Sequence, residues 1–167
     1  MLTKYKYDFY KTPVGCLNII VDENDNLFTI NFNHDKPPSI GLSCEIERAS
    51  YNPTIIKTKE WLDSYFKKES VDFNIDLDKL NITEFQKAVY TCLIKVRFGQ
   101  ITTYKKLGDE VTKLTNKKVS YQAIGTALSK NPLLILIPCH RVIKTNGSLG
   151  GYAGGIPVKM YLLNHER

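Results

Sequence analysis

The chain reads as an α+β protein, and two changes of pattern along its 167 residues carry that reading. The first part holds short β-rich runs around a single amphipathic helix. After a polar stretch at Asp76–Asn81 the periodicity turns helical and stays so until a glycine-dense loop near the end. Hydrophobic content of 43% and charged content of 24% belong to an ordinary globular chain of one sizeable domain or two small ones. The expected division is a first domain over 1–80 and a second over 81–167.

In the first domain, Leu17–Val21 and Leu27–Phe32 are β-rich runs flanking the polar turn Asp22–Asn26, the pattern of a hairpin. His34–Ser50 is polar, contains Pro37, Pro38 and Gly41, and is expected as a loop or a weak helix. Asn52 caps a helix with Pro53 in its first position. Ile55, Leu62 and Phe66 fall near one face of it, with Trp61 and Tyr65 beside them. Val71–Ile75 alternates like a short strand.

In the second domain, Thr83 and Gln86 have the spacing of a capping box. They open a helix with the apolar stripe Phe85, Val89, Cys92, Leu93 and Val96, stopped near Gly99. Thr102 or Thr103 caps a second helix from Tyr104 to about Val111. Ser120 caps a third from Tyr121 to Lys130. On that third helix Tyr121, Ile124 and Leu128 are expected to point inward, leaving Gln122, Ala123, Thr126, Ala127 and Lys130 on a small, lightly charged outer face. Such a face suits a nucleic-acid groove or a neighbouring helix. Leu133–Ile137 is expected as a buried strand, Thr145–Ser148 as a tight turn, Gly150–Gly155 as a loop and Val158–Glu166 as a last helix.

Charge is divided between the halves. Residues 1–83 carry 10 Lys/Arg against 13 Asp/Glu; residues 84–167 carry 13 against 4. A strongly basic half beside a mildly acidic one points to a polyanionic partner, with plain surface solubility as the alternative. No apolar run is long enough to span a bilayer, no signal peptide is read at Met1–Tyr10, and the cytoplasm is the expected location. Four cysteines stand apart without C-x-x-C or zinc-finger spacing, which favours free thiols.

Ile137-Pro138-Cys139-His140-Arg141 is the sharpest chemical feature. A thiol between an imidazole and a guanidinium is expected to favour its thiolate, a soft nucleophile suited to saturated carbon. A buried structural cysteine is the alternative. On an extended chain the side chains of Cys139 and His140 diverge, so a bridging water or a local turn is needed for them to communicate.

Pro138-Cys139-His140-Arg141-Val142-Ile143 resembles the active-site motif of the O6-alkylguanine-DNA alkyltransferases. Phe85-Gln86, Phe98-Gly99, Thr103-Tyr104, Asn131-Pro132, the loop Gly150–Gly155 and Leu162–Glu166 follow the same family in order and spacing. The likeness is strong over 84–167 and weaker over 5–75. It implies a ribonuclease H-like α/β domain followed by a winged helix-turn-helix domain. It also implies double-stranded DNA as partner, bound in the minor groove with the alkylated base turned out of the duplex, and a monomer with no membrane association. By the same resemblance Cys139 is nucleophile and alkyl acceptor, His140 its base through a water, Glu166 the orienter of His140, and Tyr104 the donor to the departing guanine. The implied DNA and substrate contacts are Thr103, Lys105, Gln122, Ala123, Thr126, Ala127, Asn131, Arg141, Val142, Thr145, Tyr152 and Ala153. Val142 and Cys139 would read the guanine edge through the backbone, the Ala153 amide would face O6, and Tyr152 would wall the pocket.

No cofactor and no metal are implied, since Cys16 and His34 do not match the zinc ligands of some relatives. Two departures stand out. Gln122 occupies the place where the family carries an arginine, and the connection Thr112–Val119 is longer than usual, so slower repair is expected. A non-catalytic binder of alkylated DNA, a winged-helix regulator sensing alkylation, and a cysteine hydrolase are the competing classes.

Overall fold

A computed structural model describes residues 2–33, 38, 40–41, 43–69 and 72–167. Its contacts divide the chain into two compact units, Met1–Asn81 and Ile82–Arg167.

The first unit is a four-stranded sheet with one helix. Strands β1 (Thr3–Thr12), β2 (Gly15–Val21), β3 (Leu27–Phe32) and β4 (Cys44–Arg48) are ordered β3-β2-β1-β4. The β1-β2 and β2-β3 pairs are antiparallel and β1-β4 is parallel. The expected hairpin is β2-β3. Its turn is set by Asp22, whose Oδ1 accepts from the amides of Asn24 and Asn26. β1 was not expected, because its polar residues hide the β signal: alternate positions pack aromatics such as Tyr7 and Phe9, whose rings meet at 5.3 Å. β4 replaces the loop or weak helix expected at 34–50. Within that span, and at Ser70 and Val71, some expectations fall outside the described residues, among them any role for His34.

Helix α1 (Pro53–Phe66) begins where Asn52 Oδ1 accepts from the Thr54 and Ile55 amides. It packs on β1 and β2 through Ile55, Thr58, Leu62 and Tyr65, so Tyr65 rather than Phe66 completes the buried stripe. Buried Asp8 on β1 receives hydrogen bonds from Arg48 of β4 and Lys59 of α1, joining strand, edge and helix. Asp72–Ile75 is not a strand. Its alternation serves an extended segment laid along α1, where Phe73 packs edge-on to Trp61 at 6.0 Å and lies under Lys57. A 3-10 turn, Leu77–Lys79, follows in the stretch read as a linker.

The second unit packs α2 (Glu84–Leu93), α3 (Tyr104–Thr115) and α4 (Tyr121–Ser129) against one another. The strand pair β5 (Thr102–Thr103) and β6 (Val142–Ile143) is parallel, and α5 (Ile156–His165) closes the unit. The capping box at Thr83/Gln86 is formed, and Thr103 and Ser120 cap α3 and α4. The core contains Val89, Tyr90, Leu93, Leu107, Val111, Ile124 and Leu133, each fully buried. α2 ends at Leu93, short of Gly99, and Val96 reaches the core from the following turn. No described helix is long and apolar enough to cross a membrane.

Two expectations in this unit are corrected. Leu133–Ile137 is buried as expected, but it is a compact turn and not a strand. Ile135 takes φ 72°, which breaks an extended run, and the Ile137 amide closes on Leu133 O at 2.9 Å. Tyr121 does not point inward: the buried stripe of α4 is Ile124, Ala127 and Leu128, and Tyr121 is 52% exposed. Ala127, assigned to the outer face, is therefore inside, and its carbonyl accepts from Tyr90 Oη at 2.8 Å.

Candidate active site

The site begins with Asn131, just beyond α4. Its Oδ1 accepts from the Leu133 amide at 2.9 Å and its Nδ2 donates to Ile137 O at 2.7 Å. One side chain thus satisfies backbone groups at both ends of the buried turn that no strand partner meets. The same Nδ2 lies 3.2 Å from Cys139 Sγ. Pro138 then leads into a 3-10 turn, Cys139–Arg141. That turn is the local bend the motif required: the divergence expected of an extended chain is removed, and all three side chains are buried.

The centre of charge is Glu166, at the end of α5. His140 Nε2 lies 2.6 Å from Glu166 Oε1, Arg141 Nε and Nη2 donate to its two oxygens at 2.8 and 3.0 Å, and the Gly99 amide approaches Oε2 at 3.4 Å. Burial would raise this carboxyl, but the hydrogen bonds from His140 and Arg141 outweigh it and hold it at about 2. Burial also lowers His140, against the pull of Glu166, so the imidazole rests neutral. An ionised Glu166 can only accept, so the His140 proton sits on Nε2 and Nδ1 keeps its lone pair. Nδ1 is buried and makes no hydrogen bond to a described residue. Arg141 Nη1 donates to Val96 O at 2.6 Å. Its guanidinium is thus used inside the protein, which corrects its assignment as a DNA or substrate contact.

The resting state of Cys139 is also corrected. Burial raises the thiol to about 11, despite hydrogen bonding from Asn131 and the nearby Lys159 charge. The guanidinium that was to acidify it is neutralised by Glu166, and desolvation wins. At neutral pH Cys139 is a thiol that needs a base at the moment of attack.

A loop from Lys144 to Gly155 frames the thiol. Lys144–Ser148 forms the expected tight turn, closed by Lys144 N to Ser148 O at 2.8 Å. Lys159 of α5, fully buried, donates to the carbonyls of Val142 at 2.7 Å, Gly151 at 3.1 Å and Leu149. Burial lowers its ammonium to about 8. Tyr104 opens α3 between this loop and α4. A Cβ on Gly150, at φ 71°, would sit 2.7 Å from Tyr104 Oη, while one on Gly125 would be 4.0 Å from its ring. Glycine at 150 is what lets the phenol lie against the loop. Burial raises the Tyr104 phenol, keeping it a donor. Tyr152 packs edge-on to His140 with ring centroids 6.4 Å apart, and its buried hydroxyl has no partner among the described residues.

The other named positions divide by exposure. Lys105, Gln122, Thr126, Thr145 and Ala153 are exposed, and Ala123 is half-buried. Thr103 is half-buried with its hydroxyl used as the α3 cap at 3.1 Å from the Lys106 amide. The backbone of Val142 already has partners on both sides, its amide on Cys139 O and its carbonyl on Lys159, which leaves little of it for a base edge. Lys159 was missed altogether. The available signal was a cation three residues before Leu162 and seven before Glu166, on the buried stripe of its helix. Gly99, read as a helix stop, instead gives the clearance Glu166 needs: a Cβ there would come within 3.0 Å of Glu166 O.

Residues 84–167 match the family described as 6-O-methylguanine DNA methyltransferase, DNA binding domain, and residues 5–79 match its ribonuclease-like domain. Methylated-DNA--protein-cysteine methyltransferase of Metallosphaera sedula is 35% identical over 96% of this chain and 92% of that protein. The crystal structure of Mycobacterium tuberculosis O6-methylguanine methyltransferase superposes with TM-score 0.79 at 26% identity, covering 97% of this chain and 92% of that one. The M. tuberculosis OGT solved in complex with DNA gives 0.77 at 27%, covering 98% and 92%. A thiol, a neutral imidazole and a clamped carboxylate thus lie in the half that matches the DNA binding domain, beside a half that matches the ribonuclease-like one: the chain belongs to the 6-O-methylguanine DNA methyltransferase family.

Proposed function

We propose that this chain repairs O6-alkylguanine in DNA by moving the alkyl group to Cys139 Sγ, once per molecule. The observation that carries the reading is His140: neutral, its Nε2–H held by ionised Glu166, its Nδ1 lone pair without a partner among the described residues, and adjacent in a tight turn to a nucleophile that is protonated at rest. The names of its relatives agree, since they describe a methyltransferase from methylated DNA to a protein cysteine.

The thiol proton passes through a water to His140 Nδ1, and the imidazolium that forms is stabilised by Glu166. The sulfur attacks the alkyl carbon; the S–C bond forms as the C–O bond breaks. Guanine leaves with the electron pair, and the Tyr104 hydroxyl donates to the developing charge. Alkyl group, proton and electrons are accounted for, so no redox partner is required. Restoring Cys139 would require a nucleophile to break the S–C bond of an unactivated thioether with the thiolate as leaving group, so the transfer is stoichiometric.

The partner is duplex DNA, bound through the exposed stripe of α4 in the minor groove, with the damaged nucleotide turned out to reach the thiol. Gln122 and Thr126 lie on that stripe, and Lys105 and Thr145 are exposed for phosphates. The working unit is a monomer in which residues 81–167 bind DNA and accept the alkyl group and residues 1–80 form a companion domain. Mass spectrometry after incubation with O6-methylguanine duplex tests the reading. A CH2 increment on the Cys139 peptide, absent in Cys139→Ser, is expected. An unmodified Cys139 after prolonged exposure refutes it, and sustained ester or amide turnover would favour a hydrolase.

A further inference from the structure

The exposed stripe of α4 is made of short or narrow side chains, Gln122, Thr126 and Ser129, with half-buried Gly125 beside them. Tyr121 breaks that pattern. It stands at the first turn of the helix, 52% exposed, and is the only aromatic side chain on α4. Its ring rests on α3: a Cβ built on buried Gly108 would lie 3.4 and 3.6 Å from two of its carbons. One side of the ring is therefore seated on packed backbone while the rest meets solvent. Its hydroxyl makes no hydrogen bond to a described residue, so no polar tether explains the placement. Around it, residues 112–131 carry Lys113, Lys117, Lys118 and Lys130, all exposed, and no acidic residue. A braced, solvent-facing aromatic among cations is the combination that stacks nucleobases while lysines hold phosphates.

We propose that Tyr121 is the base-stacking residue of α4, packing its ring against the base left unpaired when the damaged nucleotide leaves the duplex. The inference rests on the DNA-repair reading and adds a positioning residue to it. Tyr121 does not touch the alkyl group; it keeps the opened pair from closing. Gln122, next in sequence and exposed, supplies hydrogen bonding to the same base but has no ring to stack.

The test uses the whole chain and a duplex with O6-methylguanine opposite 2-aminopurine, whose fluorescence is quenched by stacking. The native protein and Tyr121→Phe are expected to quench the probe and to transfer at similar single-turnover rates. Tyr121→Ala is expected to lose the binding-dependent quench and to react about tenfold slower or more, the loss of one aromatic–base stack. Because Tyr121 is 52% exposed and its packing is confined to one side of the ring, the Tm should fall only slightly. The salt dependence of binding should also be unchanged, since no phosphate contact is removed. Native-like quenching and rate in Tyr121→Ala overturn the proposal. So does an equal loss in Tyr121→Phe, which keeps the ring and would place the effect in the hydroxyl, or a Tyr121→Ala rate loss that follows a lower Tm with the quench retained, which would make the ring only a packing element on Gly108. A native protein that neither binds the duplex nor acquires the alkyl group sinks the repair reading itself.

Discussion

Replacing Lys159 with methionine removes a buried cation while keeping most of its length and apolar stem. In the native protein its Nζ holds the carbonyls of Val142, Leu149 and Gly151, joining the residues after the nucleophile to the loop that frames it. Two opposed terms act on stability. Depression of the ammonium from 10.5 to about 8 by burial means that its charge costs about 3 kcal/mol at neutral pH. That cost disappears in Lys159→Met. Against it, Val142 O is left buried without its donor, a loss of about 1–3 kcal/mol, whereas the Leu149 and Gly151 carbonyls lie on a partly exposed loop that water can reach. The unfolding free energy should therefore move by no more than about 2 kcal/mol. The rate should respond far more. The loop carries Gly150 against Tyr104 and Tyr152 against His140, and a displacement of about 1 Å in such a constellation costs roughly a hundredfold. Single-turnover transfer to Cys139, measured beside DNA affinity by anisotropy and stability by urea denaturation, reads the three effects separately. Expected are a transfer rate about a hundredfold lower and affinity within threefold of native. Lys159→Arg should not rescue, because a planar fork does not reproduce three converging bonds from one nitrogen. A methionine variant that folds and transfers within threefold of native would refute the clasp.

Glu166→Gln leaves buried Arg141 without its counter-charge and should cost about 3–5 kcal/mol of stability in denaturant unfolding, with transfer falling more than DNA binding. The native carboxyl sits at about 2 against an ordinary 4.5, a depressed acid, so its contribution of about 3 kcal/mol is complete above pH 4.5 and is lost as pH falls towards 2. Unfolding curves between pH 7 and pH 2 should show that loss, and Glu166→Gln should flatten it. Asn131→Ala removes bonds to Leu133 N, Ile137 O and Cys139 Sγ; stability should drop by about 2–4 kcal/mol, read by thermal unfolding, and the thiol should titrate higher still, read by thiolate absorbance. Gln122→Arg adds a charge and a stacking plane to the exposed stripe of α4 and should raise the single-turnover rate on lesion duplex; an unchanged rate would refute the expectation that Gln122 slows repair.

Local chemistry carried much of this protein in plain view. Asn52-Pro53, Thr83 with Gln86, Thr103 and Ser120 announced helix starts, because a cap is a contact between residues two or three apart. The β2-β3 hairpin was legible for the same reason, its turn being closed by Asp22 upon its own neighbours. The family resemblance implied Cys139, His140 and Glu166 together, and the structure brings His140 and Glu166 to 2.6 Å although 26 residues separate them. What the sequence could not determine was where burial and hydrogen bonds come from distant partners. Alternation at Phe73 and Ile75 answered to the face of α1, not to a sheet, and the apolar run at Leu133–Ile137 needed only Asn131 to satisfy its backbone, not a strand. The charge state of the site lay furthest from view. Beside Arg141 in sequence, Cys139 reads as an acidic thiol; in space Glu166 takes the guanidinium, burial takes the solvent, and the thiol rises to about 11. Sequence sets which groups are available, but a pKa depends on distance and dielectric, and both are decided when residues far apart in the chain pack together.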